Sequence, residues 1–135
     1  MWHEARGVAY AAQKNSKDAL AEQAAFEEAR KAVTGSDDLI LLNIAAHVLA
    51  GEVFVSLKRT DDAVAELRKA VAAEDALAYG EPPDWILPTR HTLGAILLDA
   101  GRFADALTVF KDDLVLHPNN GWALFGLSRS YTGLG

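Results

Sequence analysis

The four histidines, His3, His47, His91 and His117, are the residues of this sequence best suited to acid–base or metal chemistry. Imidazole titrates near neutrality and is the commonest zinc ligand. A hydrolytic zinc site would need two histidines one helical turn apart with a glutamate between them. No two of the four histidines are that close. His47 and Glu52 could act as a ligand or acid–base pair, but five residues is a poor interval for sharing a helix face. His91 and Asp99 stand eight apart and can share one, as the polar lining of a groove. His3 and His47 read more simply as residues that pack or hydrogen-bond between helices.

Other chemistries fare no better. The chain has no cysteine, which excludes thiol nucleophiles, disulfides and zinc thiolate sites. Neither glycine-rich phosphate fingerprint occurs, and no serine lies in a GxSxG turn. The acids of "TGSDD" and "KDD" lack calcium-loop spacing and suit helix starts and solvated faces. The expectation is a protein that is not an enzyme and carries no catalytic residue, metal or cofactor.

The elements that would position any of these residues are helices. Apolar residues recur three and four apart in "ALAEQAAFEEARKAV", "LILLNIAAHVLAGEVFVSL" and "AVAELRKAVAAEDAL", and strand-like alternation is absent. Turn residues break the pattern at 34–38, 79–84 and 117–121, where Asp38 and Asp84 are expected to cap the helices that follow. At 135 residues, half of them hydrophobic, the chain is expected to form one domain. Its net charge of −6 and scattered cations argue against nucleic acid. Asn43, His47 and Glu52 interrupt the most apolar stretch, so no membrane span is expected. "MWHEARGVAY" has no signal-peptide pattern, which makes the cytoplasm the default location.

Three stretches of the chain align with one another. Gly7, Gly51 and Gly94 each precede an alanine (Ala19, Ala63, Ala106) by twelve residues, and Tyr10, Phe54 and Leu97 follow each glycine by three. Leu67 and Phe110 follow their alanines by four, where the first copy has Gln23. Glycine costs roughly 1 kcal/mol inside a helix, so three at equivalent positions imply that antiparallel helices touch there, Gly against Ala, with the large residue packed beside. Gly101 is expected to make the turn within the third pair, and Pro118 to end its second helix. "EPPDW" is expected to anchor its loop through Trp85, with a ligand-facing role for Trp85 or Tyr79 as the alternative.

This pattern resembles the tetratricopeptide repeat, a 34-residue helix–turn–helix unit. The best copy spans 87–120, where Leu93-Gly94, Leu97, Gly101, Ala106, Phe110 and Pro118 match. Looser copies occupy roughly 1–33 and 44–77, and a half repeat with Leu127, Ser128 and Tyr131 occupies 121–135. The glycines lie 44 and then 43 residues apart, so about ten extra residues lengthen helices or connections near "TGSDDLILL" and "LAYGEPPDW". The segment from Tyr79 onward is also similar to the C-terminal part of uncharacterised bacterial proteins with these repeats. The implied fold is all-α: a solenoid of about seven antiparallel helices, three hairpins plus one unpaired helix. An abrupt start and an uncovered last helix suggest a fragment of a longer repeat protein.

The resemblance implies a scaffold or interaction module whose first helices line a concave groove for a protein or peptide partner. Glu4, Val8, Val48, Glu52, Ser56, His91, Ala95, Asp99, Trp122, Phe125 and Arg129 take the groove positions. The family's carboxylate-gripping subset uses Lys, Asn and Arg where this chain has Val8, Glu52 and Ala95, so a neutral or basic ligand with apolar anchors is implied instead. Trp122 and Phe125 are the expected anchors. Competing readings are a homodimer through Leu124, Leu127, Tyr131 and Leu134, a regulatory appendage of a larger enzyme, and a small ligand near His91 and Trp85.

Overall fold

The computed structural model describes residues 1–78 and 80–135, without the side chains of Ser36 and Asp37. Tyr79, one of the two residues offered for a ligand-facing role, lies outside the described residues. All described secondary structure is helical: α1 (Trp2–Ala12), α2 (Ser16–Arg30), α3 (Ser36–Ser56), α4 (Thr60–Asp75), α5 (Thr89–Asp99), α6 (Phe103–Leu116) and α7 (Gly121–Leu134). They fall into two compact units, Met1–Ile86 and Leu87–Gly135. In the first, hairpins α1–α2 and α3–α4 pack together because α3 lies against both α1 and α2. In the second, α7 lies against both helices of the α5–α6 hairpin. The two units thus use the same rule, in which a first helix sits on both helices of the preceding pair.

Glycine and a large side chain set the closest approach within a pair. A Cβ on Gly51 would stand 2.7 Å from Leu67 Cγ, and one on Gly94 would stand 2.3 Å from the tip of the Phe110 ring. Ala19, Ala63 and Ala106 are fully buried. The glycine therefore receives the large side chain itself, not the alanine expected from the spacing. Gly7 departs from this, because Gln23 puts no large apolar group opposite it and Leu49 of α3 fills the notch from the next hairpin at 2.5 Å. Leu49 joins Ala11, Ala19, Phe26, Ala45 and Val53 in one core cluster, and the ring of Trp85 packs against it, so that loop is anchored as expected.

The turns inside the three hairpins are copies. Lys14, Lys58 and Gly101, each seven residues after the paired glycine, have left-handed φ values of 59°, 60° and 72°. The next residue's amide reaches back five residues in each, from Asn15 to Tyr10, Arg59 to Phe54 and Arg102 to Leu97. Each of those residues then ties an acid in the first turn of the second helix: Asn15 to Asp18, Arg59 to Asp62, Arg102 to Asp105. Glycine is needed at none of the three, only favoured.

Two caps are corrected. Helix α3 starts at Ser36 with Gly35 as its cap residue, which puts Asp38 within the first turn, where a carboxylate still favours the helix dipole. Helix α5 starts at Thr89 after Pro88, because the residue before a proline is held extended and no helix can run through Asp84–Pro88. The extra residues divide accordingly, lengthening α3 to 21 residues and leaving the described residues of 76–88 outside any helix.

The expectation that no run approaches membrane-spanning length is also corrected. Asp38–Ser56 is long and apolar enough by length and composition. In the first unit it is the central helix: Ile44, Ala45, Leu49 and Val53 are buried, Asn43 accepts a hydrogen bond from Arg30, and His47 is paired with Glu66.

Candidate functional site

Histidine joins the two helices of every hairpin, and this accounts for three of the four. His3 Nδ1 lies 2.8 Å from Glu22 Oε2, and His47 Nδ1 lies 2.7 Å from Glu66 Oε2. The two pairs occupy equivalent places, four residues before the glycine and fifteen after it, so the reading of His3 and His47 as interhelical partners holds. Arg6 adds a cation to Glu22 at 3.0 Å, and Lys69 adds one to Glu66 at 2.6 Å. Burial pushes the Glu66 carboxyl up, but the hydrogen bonds from Lys69 and His47 outweigh it and hold the group below its ordinary range. His47 is committed to Glu66, which removes it as a partner for Glu52.

The third hairpin shifts this pairing. Arg90 and Val109 stand where the other copies have His and Glu, and His91 Nε2 instead reaches Asp113 Oδ2 at 3.0 Å. His117, one turn beyond, turns its Nδ1 to the other carboxylate oxygen at 3.1 Å. Asp113 is fully buried between them. A buried carboxylate needs such donors, since desolvating it alone is costly. His91 is therefore not paired with Asp99, which is exposed at the C-terminal end of α5. The signal for Asp113 was present in the sequence: it lies seven residues after Ala106 and three after Phe110, on the apolar face. Among the described residues no three side chains of the ligand types are arranged to hold a metal ion.

The groove positions divide between the units. In the first, Glu4, Val8, Glu52 and Ser56 are partly exposed along α1 and α3, whereas Val48 is buried and leaves that list. Val8 packs on the core cluster below. Burial raises the carboxyls of both Glu4 and Glu52 above their ordinary value, the first offset in part by the chain's amino terminus. In the second unit, Ala95 and Asp99 are exposed on α5, and His91, bonded to Asp113, is largely covered.

Helix α7 carries the most conspicuous surface. It packs on α5 and α6 through a narrow stripe of small residues, Ala123, Gly126 and Ser130. Most of its large side chains face away. Trp122 and Phe125 are 75% and 62% exposed, and Arg129, four residues after Phe125 and seven after Trp122, shares their side of the helix. Leu124, Tyr131 and Leu134 are about half exposed, and Leu127 is intermediate. On a helix turning 100° per residue, Leu124, Leu127, Tyr131 and Leu134 fall on a face distinct from that of Trp122, Phe125 and Arg129.

The position of Glu52 gives a test of sign. Its folded carboxyl is raised, so the folded state bears the burial cost once the group ionises. Glu52→Gln is expected to raise the melting temperature at pH 7. That gain should fade as the pH falls toward the ordinary carboxyl value of 4.5, where the unfolded chain also binds the proton. A variant that melts lower at neutral pH would show that Glu52 holds a structural partner. The chain matches no family model, no curated protein and no solved structure.

Proposed function

We propose that this protein is a helical-repeat interaction module of tetratricopeptide type, which binds a peptide or protein segment and performs no chemistry of its own. The repeat reading is supported by the glycine and left-handed turn that recur at matching offsets in all three hairpins and by the histidine–carboxylate pair that recurs in the first two. The binding reading rests on Trp122 and Phe125. Two aromatic rings one turn apart stand largely in water among the described residues, and aromatic side chains are preferred anchors because they bury large areas at low entropic cost. Asp99 on the same unit favours a neutral or basic ligand with apolar anchors.

The test is selection of displayed peptides on the whole chain, followed by anisotropy titration of the enriched sequences. Binders are expected to carry apolar anchors beside neutral or basic residues and to lose at least about tenfold in affinity for Trp122→Ala or Phe125→Ala. Selection that enriches nothing, or peptides that bind both variants as tightly as the parent, would remove the reading.

A further inference from the structure

Helix α7 seats small residues on its own hairpin and leaves a strip of large ones open beside them. Ala123, Gly126 and Ser130 are buried, and a Cβ on Gly133 would stand 2.4 Å from the Phe103 ring. One position on from these four come Leu124, Leu127, Tyr131 and Leu134. Leu124, Tyr131 and Leu134 are about half exposed, and Leu127 is partly covered. Their spacing of three, four and three is that of a coiled-coil seam, and it reads the same from either end. A helix cannot close on this strip as α6 closes on α5. Gly94 of α5 admits the Phe110 ring because it has no Cβ, whereas the equivalent residue of α7 is Ser128. A covering helix must stand off and meet the leucines and the tyrosine with a row of its own.

We infer that a second copy of this chain lies on the strip, its α7 antiparallel to the first across a two-fold axis. An interface about a two-fold must match itself, and this spacing does: Leu124 falls opposite Leu134 of the second copy, and Leu127 opposite its Tyr131. Charge selects the same face. The chain has a net charge of −6, yet no Asp or Glu follows Asp113, so two copies can meet along α7 without setting acid against acid. Helix α7 also has no acid in its first turn and no base in its last, so neither end of its dipole is answered by its own charged side chains. Antiparallel pairing sets each positive end beside a negative one, where parallel pairing would oppose like ends. Lys111 borders the strip, its Nζ 5.6 Å from the centre of the Tyr131 ring of its own chain. A strip one helix wide buries less than the roughly 800 Å² per partner of a standard interface, so the dimer is weak and forms as concentration rises. Trp122, Phe125 and Arg129 lie on the other face, and the dimer does not depend on peptide binding there.

The test is sedimentation of the whole chain from about 10 μM to about 1 mM. A shift from monomer to dimer is expected, weakened at least about tenfold by Tyr131→Lys and likewise by Leu124→Lys, with the helical circular dichroism of both variants retained. The chain has no cysteine, so introduced ones read the register cleanly. Leu124→Cys mixed with Leu134→Cys is expected to form a disulfide-linked dimer faster than either variant does alone. A chain still monomeric at about 1 mM overturns the inference and leaves the strip to a partner of another kind. A dimer of undiminished strength in both lysine variants overturns it by placing the interface elsewhere. Leu124→Cys that links to itself faster than to Leu134→Cys overturns the antiparallel pairing.

Discussion

Phe110→Ala is expected to destabilise the second unit by about 3–5 kcal/mol, the largest loss of any single truncation in that unit. The ring is 3% exposed, and the backbones of two helices close on its tip. A Cβ on Gly94 of α5 or on Gly126 of α7 would each stand 2.3 Å from its tip. The cost of a large-to-small change depends on how far neighbours can collapse into the space. Here both walls are glycine backbone, which has no side chain to swing inward, so the cavity persists and the loss belongs at the high end of the range. A domain's whole stability is typically about 5–15 kcal/mol, so little would remain. Urea unfolding followed by the fluorescence of Trp122, with Trp2 and Trp85 replaced by Phe, reads this unit alone. A shift below about 1 kcal/mol would mean that α7 does not rest on that ring.

Much of this arrangement was written in local sequence. The three alignable glycines and their partner residues at fixed offsets identified the hairpins, because close packing of two helices leaves a small residue at a fixed distance from a large one. The seven helices and their pairing followed. What the pattern could not carry was which group fills each notch. Gly7 takes Leu49 from the following hairpin instead of a residue of its own, a substitution made by tertiary packing once Gln23 leaves the space empty. Nor did composition reveal that Lys14 and Lys58 adopt the left-handed turn for which Gly101 is the obvious candidate. The stretch 76–88 was harder still, since three prolines bar helix without specifying an alternative.

The site was less legible than the fold. Asp113 looked like one more acid in "KDD" until its spacing from Ala106 and Phe110 put it on the buried face. The two histidines that meet it are drawn from different elements, α5 and the end of α6. Only the folded chain brings such groups together. Conversely, Trp122 and Phe125 were picked out as candidate anchors by the groove positions that the repeat resemblance implies, together with their aromatic type. Their exposure follows from an unusual choice, in which α7 buries its alanine, glycine and serine and leaves its aromatics in water.

Gly94→Leu is expected to cost about 3 kcal/mol or more, at or above the upper end for overpacking, because the ring that it would strike cannot retreat. An added Cβ alone lies 2.3 Å from the tip of the Phe110 ring, and one on Gly126 would stand equally close to the same tip. Gly51 makes the informative contrast. Its neighbour is Leu67, an aliphatic side chain that can change rotamer, and the nearest approach is 2.7 Å. Alanine in place of a helical glycine should by propensity gain roughly 1 kcal/mol. Gly94→Ala is therefore expected to destabilise despite that gain, and Gly51→Ala to fall closer to neutral. Pairing Gly94→Ala with Phe110→Leu separates clash from propensity: the double variant should be more stable than the sum of the two losses allows, since the smaller side chain vacates the space that the methyl group needs. Strict additivity in that cycle, measured by urea unfolding, would mean that the glycine and the ring do not meet, and that the notch common to these hairpins is not what sets their spacing.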